Sequence, residues 1–372
     1  MKTKILELFG EPISNGGQES FVMNCIRAMQ VDDITIDLAT PYYCDNEYYA
    51  NIVLERGGYI YCFGLPFEPG NNRFNIVNKL KEFLQNNSYD IVHIHSGSIS
   101  VLALSAYVAY KEGVSKVIVH SHSSGEKPSL KHYILKKLST PFFYKCVTNY
   151  CACSKPAAEW KFPKKIVEKN TIVLKNGIDT KLFKYNSDKR SEYRSKLSID
   201  EQAFVIGHVG RFSFEKNQKF LVNVFCKIKE RVQNCKLVLI GAGEELEAIK
   251  HLVVKQGIQD KVLFVGNVNN VNDYMQVFDV FVFPSLFEGL GMVGIEAQGA
   301  GLPVVVSDRV PADMQLTDAV SFLSLESSCD EWADCICGYK GYKRKDTSEE
   351  IRKKGFDICT TVEELQCLYG VR

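Results

Sequence analysis

No apolar stretch in the 372-residue chain approaches the roughly 18 residues that a membrane-crossing helix needs, so no bilayer span is expected. An excess of one charge is missing as well. The 45 Lys and Arg stand against 44 Asp and Glu, a net charge of +1, which excludes a global field for nucleic acid and leaves any charged partner to a local patch. There is no low-complexity segment and no internal repeat, so neither a disordered chain nor a solenoid is indicated. The 13 cysteines are an odd number without a disulfide-like framework. Cys151 and Cys153, and again Cys335 and Cys337, are two positions apart, which is neither zinc-ribbon nor C-x-x-C redox spacing. Buried, inert thiols in a reducing compartment are the expectation. The first residues, MKTKILELFG, read as the start of a strand and not as a signal-peptide core, so a cytoplasmic location is expected.

What is present is an ordinary globular composition, 45% hydrophobic and 24% charged, in a chain long enough for two α/β cores. Short apolar runs alternate with amphipathic helical patterns, the signature of βαβ units and parallel sheets covered on both faces. In the first half, strands are expected over residues 4–9, 34–39, 91–95, 117–120 and 150–152, and a helix over 100–111. A polar, charge-dense stretch follows at 184–200. The pattern then restarts, with strands over 204–209, 237–240, 262–265, 280–284 and 303–307 and helices over 218–232, 244–256, 272–277 and 291–299. Two doubly wound domains are predicted, over 1–185 and 186–350, with an apolar-periodic tail at 351–372. Ligands in such sheets bind beyond the carboxyl ends of the strands, so an active site is expected in a cleft between the two domains.

The most informative segment is PSLFEGLGMVGIEAQGAGLPVV at 284–305. A strand ends at Pro284, a loop carries Glu288, Gly289 and Gly291, and a helix opens that contains Glu296, eight positions after Glu288. Glycines allow close backbone approach to a diphosphate, and the free N–H groups of a helix start form an anion site. Glu288 can accept hydrogen bonds from sugar hydroxyls and Glu296 from a ribose. The plainer reading is an exposed loop acid and a helix-dipole partner. A second segment, GHVGRFSFEKNQ at 207–218, sets Arg211 and Lys216 after the first strand of the same domain, where both can neutralise charge on a departing phosphate. Surface salt bridges are the alternative for that pair.

The E-x₇-E spacing of Glu288 and Glu296, the GRF…K segment and the NGID tetrapeptide at 176–179 together resemble the retaining GT-B glycosyltransferases of family 4. The likeness runs in the family's order along nearly the whole chain, from Gly16 and Gly17 to the tail. It implies an α/β fold of two facing Rossmann-like domains with a deep cleft, a final helix returning to the N-terminal domain, a nucleoside-diphosphate sugar donor, UDP-linked by analogy, and no required metal ion or cofactor. Carried over by position, Glu296 binds the ribose, Glu288 the donor sugar, and Arg211 and Lys216 the pyrophosphate. Gly210, Gly241, Gly289, Leu290, Gly291, Met292 and Val293 supply backbone around the donor, Gly16 or Gly17 approaches it from the other domain, and Val265 and Asn267, in FVGNVNN at 264–270, frame the base.

The resemblance also implies an active-site histidine, matched by His122 or His120 in VIVHSHSSGEK; strand alternation sends both rings the same way, and a packing role is open for either. His93 and His95 read more simply as packing residues at a strand end. One departure is SDRVPADMQ at 307–315, with Asp313 where glutamate is common, a variant that looks like members building capsular or extracellular polysaccharides. The implied mechanism is front-face displacement, in which the acceptor oxygen attacks from the side the nucleotide leaves. The expected acceptor is a glycan or lipid-linked saccharide. Residues 126–175 hold eleven lysines against three glutamates, interleaved with aromatic and aliphatic residues, which fits peripheral contact with an anionic membrane at its inner face or, equally, a solvated basic surface. Two other functions have their own sequence requirements. A sugar-nucleotide epimerase of the same architecture needs no acceptor, and a nicotinamide-dependent dehydrogenase needs a third glycine where Gly241 and Gly243 are followed by Leu246.

Overall fold

The computed structural model describes residues 2–14, 16–30, 32–68, 73–123, 125 and 128–371. Two compact units divide the chain, one made of Met1–Gly177 with Ile358–Arg372 and the other of Ile178–Asp357.

The first unit is built on a seven-stranded parallel sheet of β1 (Thr3–Phe9), β2 (Ile34–Thr40), β3 (Ile60–Cys62), β4 (Ile91–His95), β5 (Lys116–Ser121), β6 (Asn149–Ala152) and β7 (Thr171–Val173). Its spatial order is β3-β2-β1-β4-β5-β6-β7, so the winding reverses between β1 and β4. The central strands were legible because both their faces are covered and their apolar runs are continuous. β3 and β7 are three-residue edge strands, half-exposed, and carry no such run. The helix Ile358–Tyr369 packs on the helix Gly17–Ala28 of this unit, burying Ile358, Val362, Leu365, Leu368 and Tyr369. That is the returning tail helix the resemblance implied.

The second unit holds a six-stranded parallel sheet of β8 (Phe204–Val209), β9 (Cys235–Ile240), β10 (Val262–Gly266), β11 (Val280–Phe283), β12 (Val304–Ser307) and β13 (Val320–Leu323), in the order β10-β9-β8-β11-β12-β13. Its winding reverses between β8 and β11.

The unit boundaries fall a few residues from the expected 185/186 and 350/351, and side-chain packing explains the shift. Ile178, Phe183, Ile351 and Phe356 are all buried in the core of the second unit. The tail is broken at Gly355, whose left-handed φ of +74° ends the short helix Ser348–Lys353 before the final helix begins. The polar stretch after residue 184 is likewise no linker. It forms the helix Ser187–Lys196, whose Arg194 is fully buried and donates to the carbonyls of Val277, Asp200, Glu201 and Ala203 and to Asp279. A guanidinium satisfied on all sides can be buried, and hydropathy does not reveal such a residue.

Cys151 is buried, and Cys153, Cys335 and Cys337 are half-buried. Among the described residues no helix is long and apolar enough to cross a membrane.

Candidate active site

In the second unit the chain leaves β8 and β11 side by side at the point where the strand order reverses, the usual ligand position in a doubly wound sheet. The two loops that follow are clipped together by the backbone. Leu286 N–H donates to the Glu215 carbonyl (2.8 Å), and Asn217, held at a left-handed φ of 54°, donates its Nδ2 to the Pro284 carbonyl (3.2 Å). Buried Gln218 secures the turn from below, donating to the Arg211 carbonyl (2.8 Å) and contacting His208 Nε2 (3.2 Å). This clipping brings together two residues 72 positions apart. Lys216 Nζ lies 2.6 Å from Glu288 Oε1, and Ser285 Oγ donates to the same oxygen at 2.8 Å. The side chains of the pair are 21% and 11% exposed, so the interaction is sheltered but reachable.

Arg211, on the same turn, behaves differently. It is largely exposed and pairs with Glu244 at 3.0 Å, and among the described residues no ion pair joins it to Glu288. Two acids and two cations therefore do not form one cluster; Lys216 and Glu288 do, with Arg211 and Glu244 as a separate, more solvated pair.

The glycines of this edge have a steric cause. Gly241 (φ +136°) and Gly243 (φ +157°) lie where a Cβ would strike the carbonyl oxygens of Gly210 and Phe212. That close approach braids the turn after β9 with the turn after β8, and Gly241 N–H donates onward to the Gly266 carbonyl (2.9 Å) at the end of β10. Val265 is half-buried and Asn267 exposed on the same edge. Gly291 (φ +78°) begins the helix Met292–Gly299, with Gly289 exposed and Leu290, Met292 and Val293 half-buried around it. Glu296 sits one turn into this helix. Its half-buried carboxyl makes no hydrogen bond or ion pair among the described residues, and burial pushes it up to about 7.

In the first unit, Gly16 caps the helix Gly17–Ala28; a Cβ there would strike the Glu19 carboxylate, whereas one at Gly17 would meet nothing. Glu19 is buried, and burial pushes its carboxyl up to about 7. Beside it, Glu11 accepts from Ser96 Oγ (2.8 Å), Gly97 N–H (3.1 Å) and Gln18 Nε2 (3.0 Å), and buried Lys161 donates to the Gly97 carbonyl. Sequence reasoning missed Glu11, in the loop after β1, and Glu19 and Lys161, on helices; a charged residue carries no sequence signal of its burial when distant residues supply its partners.

His120 and His122 do share a face, their rings stacked with centroids 4.0 Å apart. His120 is fully buried and His122 half-buried, with the His122 Nδ1 buried as well. His93 and His95 are more than packing. His95 Nδ1 lies 2.7 Å from His122 Nε2, and its Nε2 lies 2.6 Å from Glu7 Oε2. The other Glu7 oxygen accepts from the Tyr369 hydroxyl, which also meets His93 Nδ1 at 2.8 Å. Burial drives His95 down to about 3, and His93, His120 and His122 well below the ordinary range for the same reason. These rings are neutral at physiological pH.

The model of "Glycosyltransferase Family 4" matches residues 15–182, and that of "Glycosyl transferases group 1" matches residues 189–344. The glycosyltransferase EpsF of Bacillus subtilis is 30% identical over 370 residues, 96% of this chain and 94% of that protein. The chain belongs to the group 1/family 4 glycosyltransferases. A second member of the family, the capsular polysaccharide biosynthesis glycosyltransferase CapH of Staphylococcus aureus, is 27% identical over 312 residues, covering 80% of this chain and 81% of that one. The crystal structure of Anabaena HepE in complex with UDP matches this glycosyltransferase with a TM-score of 0.75 at 18% identity, over 99% of this chain and 100% of that one, and it shares the GT-B fold of Rossmann-like domains.

Proposed function

We propose that this glycosyltransferase moves a hexose or N-acetylhexosamine from a UDP-sugar to a glycan or lipid-linked saccharide in the building of a capsular or extracellular polysaccharide, keeping the anomeric configuration. The observation that carries the reading is the Lys216–Glu288 pair at the strand-order reversal, beside an unpaired Glu296 and a helix that starts at Gly291. Glu288 holds the ammonium in place before the donor arrives. An arriving diphosphate competes for that ammonium, and Glu288 turns to the sugar hydroxyls. Arg211 leaves Glu244 for the outer phosphate, and Glu296 accepts from the ribose. The cations and the N–H groups after Gly291 meet the growing phosphate charge, so no divalent ion is assigned to the diphosphate. HepE bound to UDP and the capsular role of CapH support the choice of donor and product class by analogy.

In the transfer, the acceptor O–H bond breaks and its oxygen bonds to the anomeric carbon. The bond from that carbon to the phosphate oxygen breaks, its electron pair stays on the phosphate, and the phosphate takes the acceptor proton. Incubation with a panel of nucleotide sugars, followed by NMR of the product, tests this. Retention with a UDP-sugar is expected, and an inverted linkage or a donor interconverted without acceptor overturns it.

The same reading places the enzyme at the inner face of an anionic membrane. The helix Leu130–Cys146 exposes Leu130, Ile134 and Leu138 at four-residue spacing, with Tyr133 beside them, among Lys131, Lys136 and Lys137. An apolar stripe turned to solvent and rimmed by lysines is the pattern of an interfacial helix. Glu126 and Lys127 of this basic stretch lie outside the described residues. Co-sedimentation with phosphatidylglycerol vesicles at low salt is expected, weakened by Leu138→Glu; no binding at low salt overturns the membrane role.

A further inference from the structure

Four of the seven histidines, His93, His95, His120 and His122, lie together on one face of the first sheet. The register explains the gathering. Glu7 pairs with His93 across β1 and β4, and His95 with His120 across β4 and β5, so all of these side chains leave the sheet on the same side. That side is covered by the two packed helices, through Phe21 and Tyr369. His93, His95 and His120 are fully buried there, and the cluster is short of partners. Among the described residues, His93 Nε2, both ring nitrogens of His120 and His122 Nδ1 are buried without a hydrogen bond. Native interiors seldom leave one such atom unsatisfied, and here four belong to one cluster.

We propose that His93, His95 and His120 bind one zinc ion, with Glu7 and Tyr369 orienting the rings. One ligand atom from each of the three histidines lies within 4.8 Å of the others. Closing to zinc–nitrogen bonds of about 2.0–2.1 Å asks for shifts of about an ångström, within reach of ring rotation. Metal-bound imidazoles characteristically give their second nitrogen to a carboxylate or another oxygen, which fixes the tautomer and aims the ligand atom. That arrangement is already built. Glu7 takes His95 Nε2 at 2.6 Å, and the Tyr369 hydroxyl meets His93 Nδ1 at 2.8 Å, which leaves His95 Nδ1 and His93 Nε2 directed away from their holders. His120 supplies either nitrogen. An all-imidazole, uncharged donor set suits a borderline divalent ion such as zinc over calcium or magnesium, which take oxygen.

Binding would occupy His95 Nδ1 and free His122 Nε2, now 2.7 Å from it, leaving the half-buried His122 ring as the member able to face a substrate. The ion would also tie the final helix, through Tyr369, to the strands it covers. This site is built from residues of the first unit and does not depend on which donor is used.

The test uses the full chain without an affinity tag, stripped with a chelator and titrated with zinc against a chromophoric competitor, then with cobalt. One zinc per chain is expected. The cobalt form should show nitrogen-ligand d–d bands without the intense thiolate charge-transfer band. His120→Ala should abolish the stoichiometric site, Glu7→Gln should weaken it about 10–100-fold, and exposed His251→Ala should leave it intact. Circular dichroism checks each fold; should His120→Ala unfold, His93→Gln carries the same expectation. No zinc binding above that of a protein without the cluster, which would mean that waters alone fill the site, overturns the proposal. So does a thiolate band, or unchanged binding in a folded His120→Ala or His93→Gln chain.

Discussion

The two sheets have the same winding, and besides a polar group past its strand ends the first also holds one within its strands. In the second unit, polar side chains sit beyond the strand ends, where loops hold Lys216 against Glu288 and leave Glu296 without a partner. In the first unit, the polar residues Glu7, His93, His95 and His120 lie within the strands, beneath two helices, with exposures of 3% or less. Charge at the rim can exchange its partner for a ligand at modest cost. The same groups inside a core must be satisfied locally or stay neutral, because an unpaired buried polar atom costs about 1–3 kcal/mol. One topology therefore yields a site built for exchange and a cluster built for permanence.

The largest effect that separates them should come from Lys216→Ala. Transfer is expected to fall about 10²–10³-fold, as when one preorganised charge-stabilising donor is removed, with the thermal midpoint nearly unchanged. Steady-state kinetics beside a melting curve would show it; near-normal turnover removes Lys216 from the chemistry.

Glu296→Gln should come next, with opposite signs in two assays. Loss of a charged hydrogen-bond acceptor should weaken UDP binding by calorimetry about 10–100-fold, the equivalent of about 1.5–3 kcal/mol. Stability should move the other way. Burial pushes the folded carboxyl up to about 7 from the ordinary 4.5 of the unfolded one, so between these the folded chain holds more protons, and wild-type stability falls as pH rises through that window. The variant escapes this penalty. Its melting point should exceed that of the wild type at pH 8, with the gap closing by pH 5. A pH-independent gap would show that Glu296 is not desolvated.

Tyr369→Phe should have the smallest effect, confined to the first unit. It leaves Glu7 Oε1 and His93 Nδ1 without their hydroxyl partner, at about 1–3 kcal/mol, and should loosen the final helix in hydrogen exchange while the second unit keeps its protection. Equal loosening of both units would erase the contrast.

The legibility of the molecule followed this division. Central strands, the glycine-punctuated loops and the Glu288–Glu296 spacing could be read in advance because each is local: a run of buried residues, a φ that only glycine adopts easily, a fixed step along a loop and helix. The edge strands β3, β7 and β13 could not, being short and half-exposed. Arg194 was hidden too, since its burial depends on carbonyls up to 83 positions away.

Sequence by itself determined the succession of βαβ units, the family, and the residue types of the donor loops, because periodicity and motif spacing are properties of neighbouring residues. Tertiary structure alone decided that Lys216 pairs with Glu288 while Arg211 turns to Glu244, that His120 is fully buried and His122 half-buried, and that Glu7, His93 and Tyr369 meet. Strand register and helix packing set those contacts, and they join residues as much as 362 positions apart along the chain.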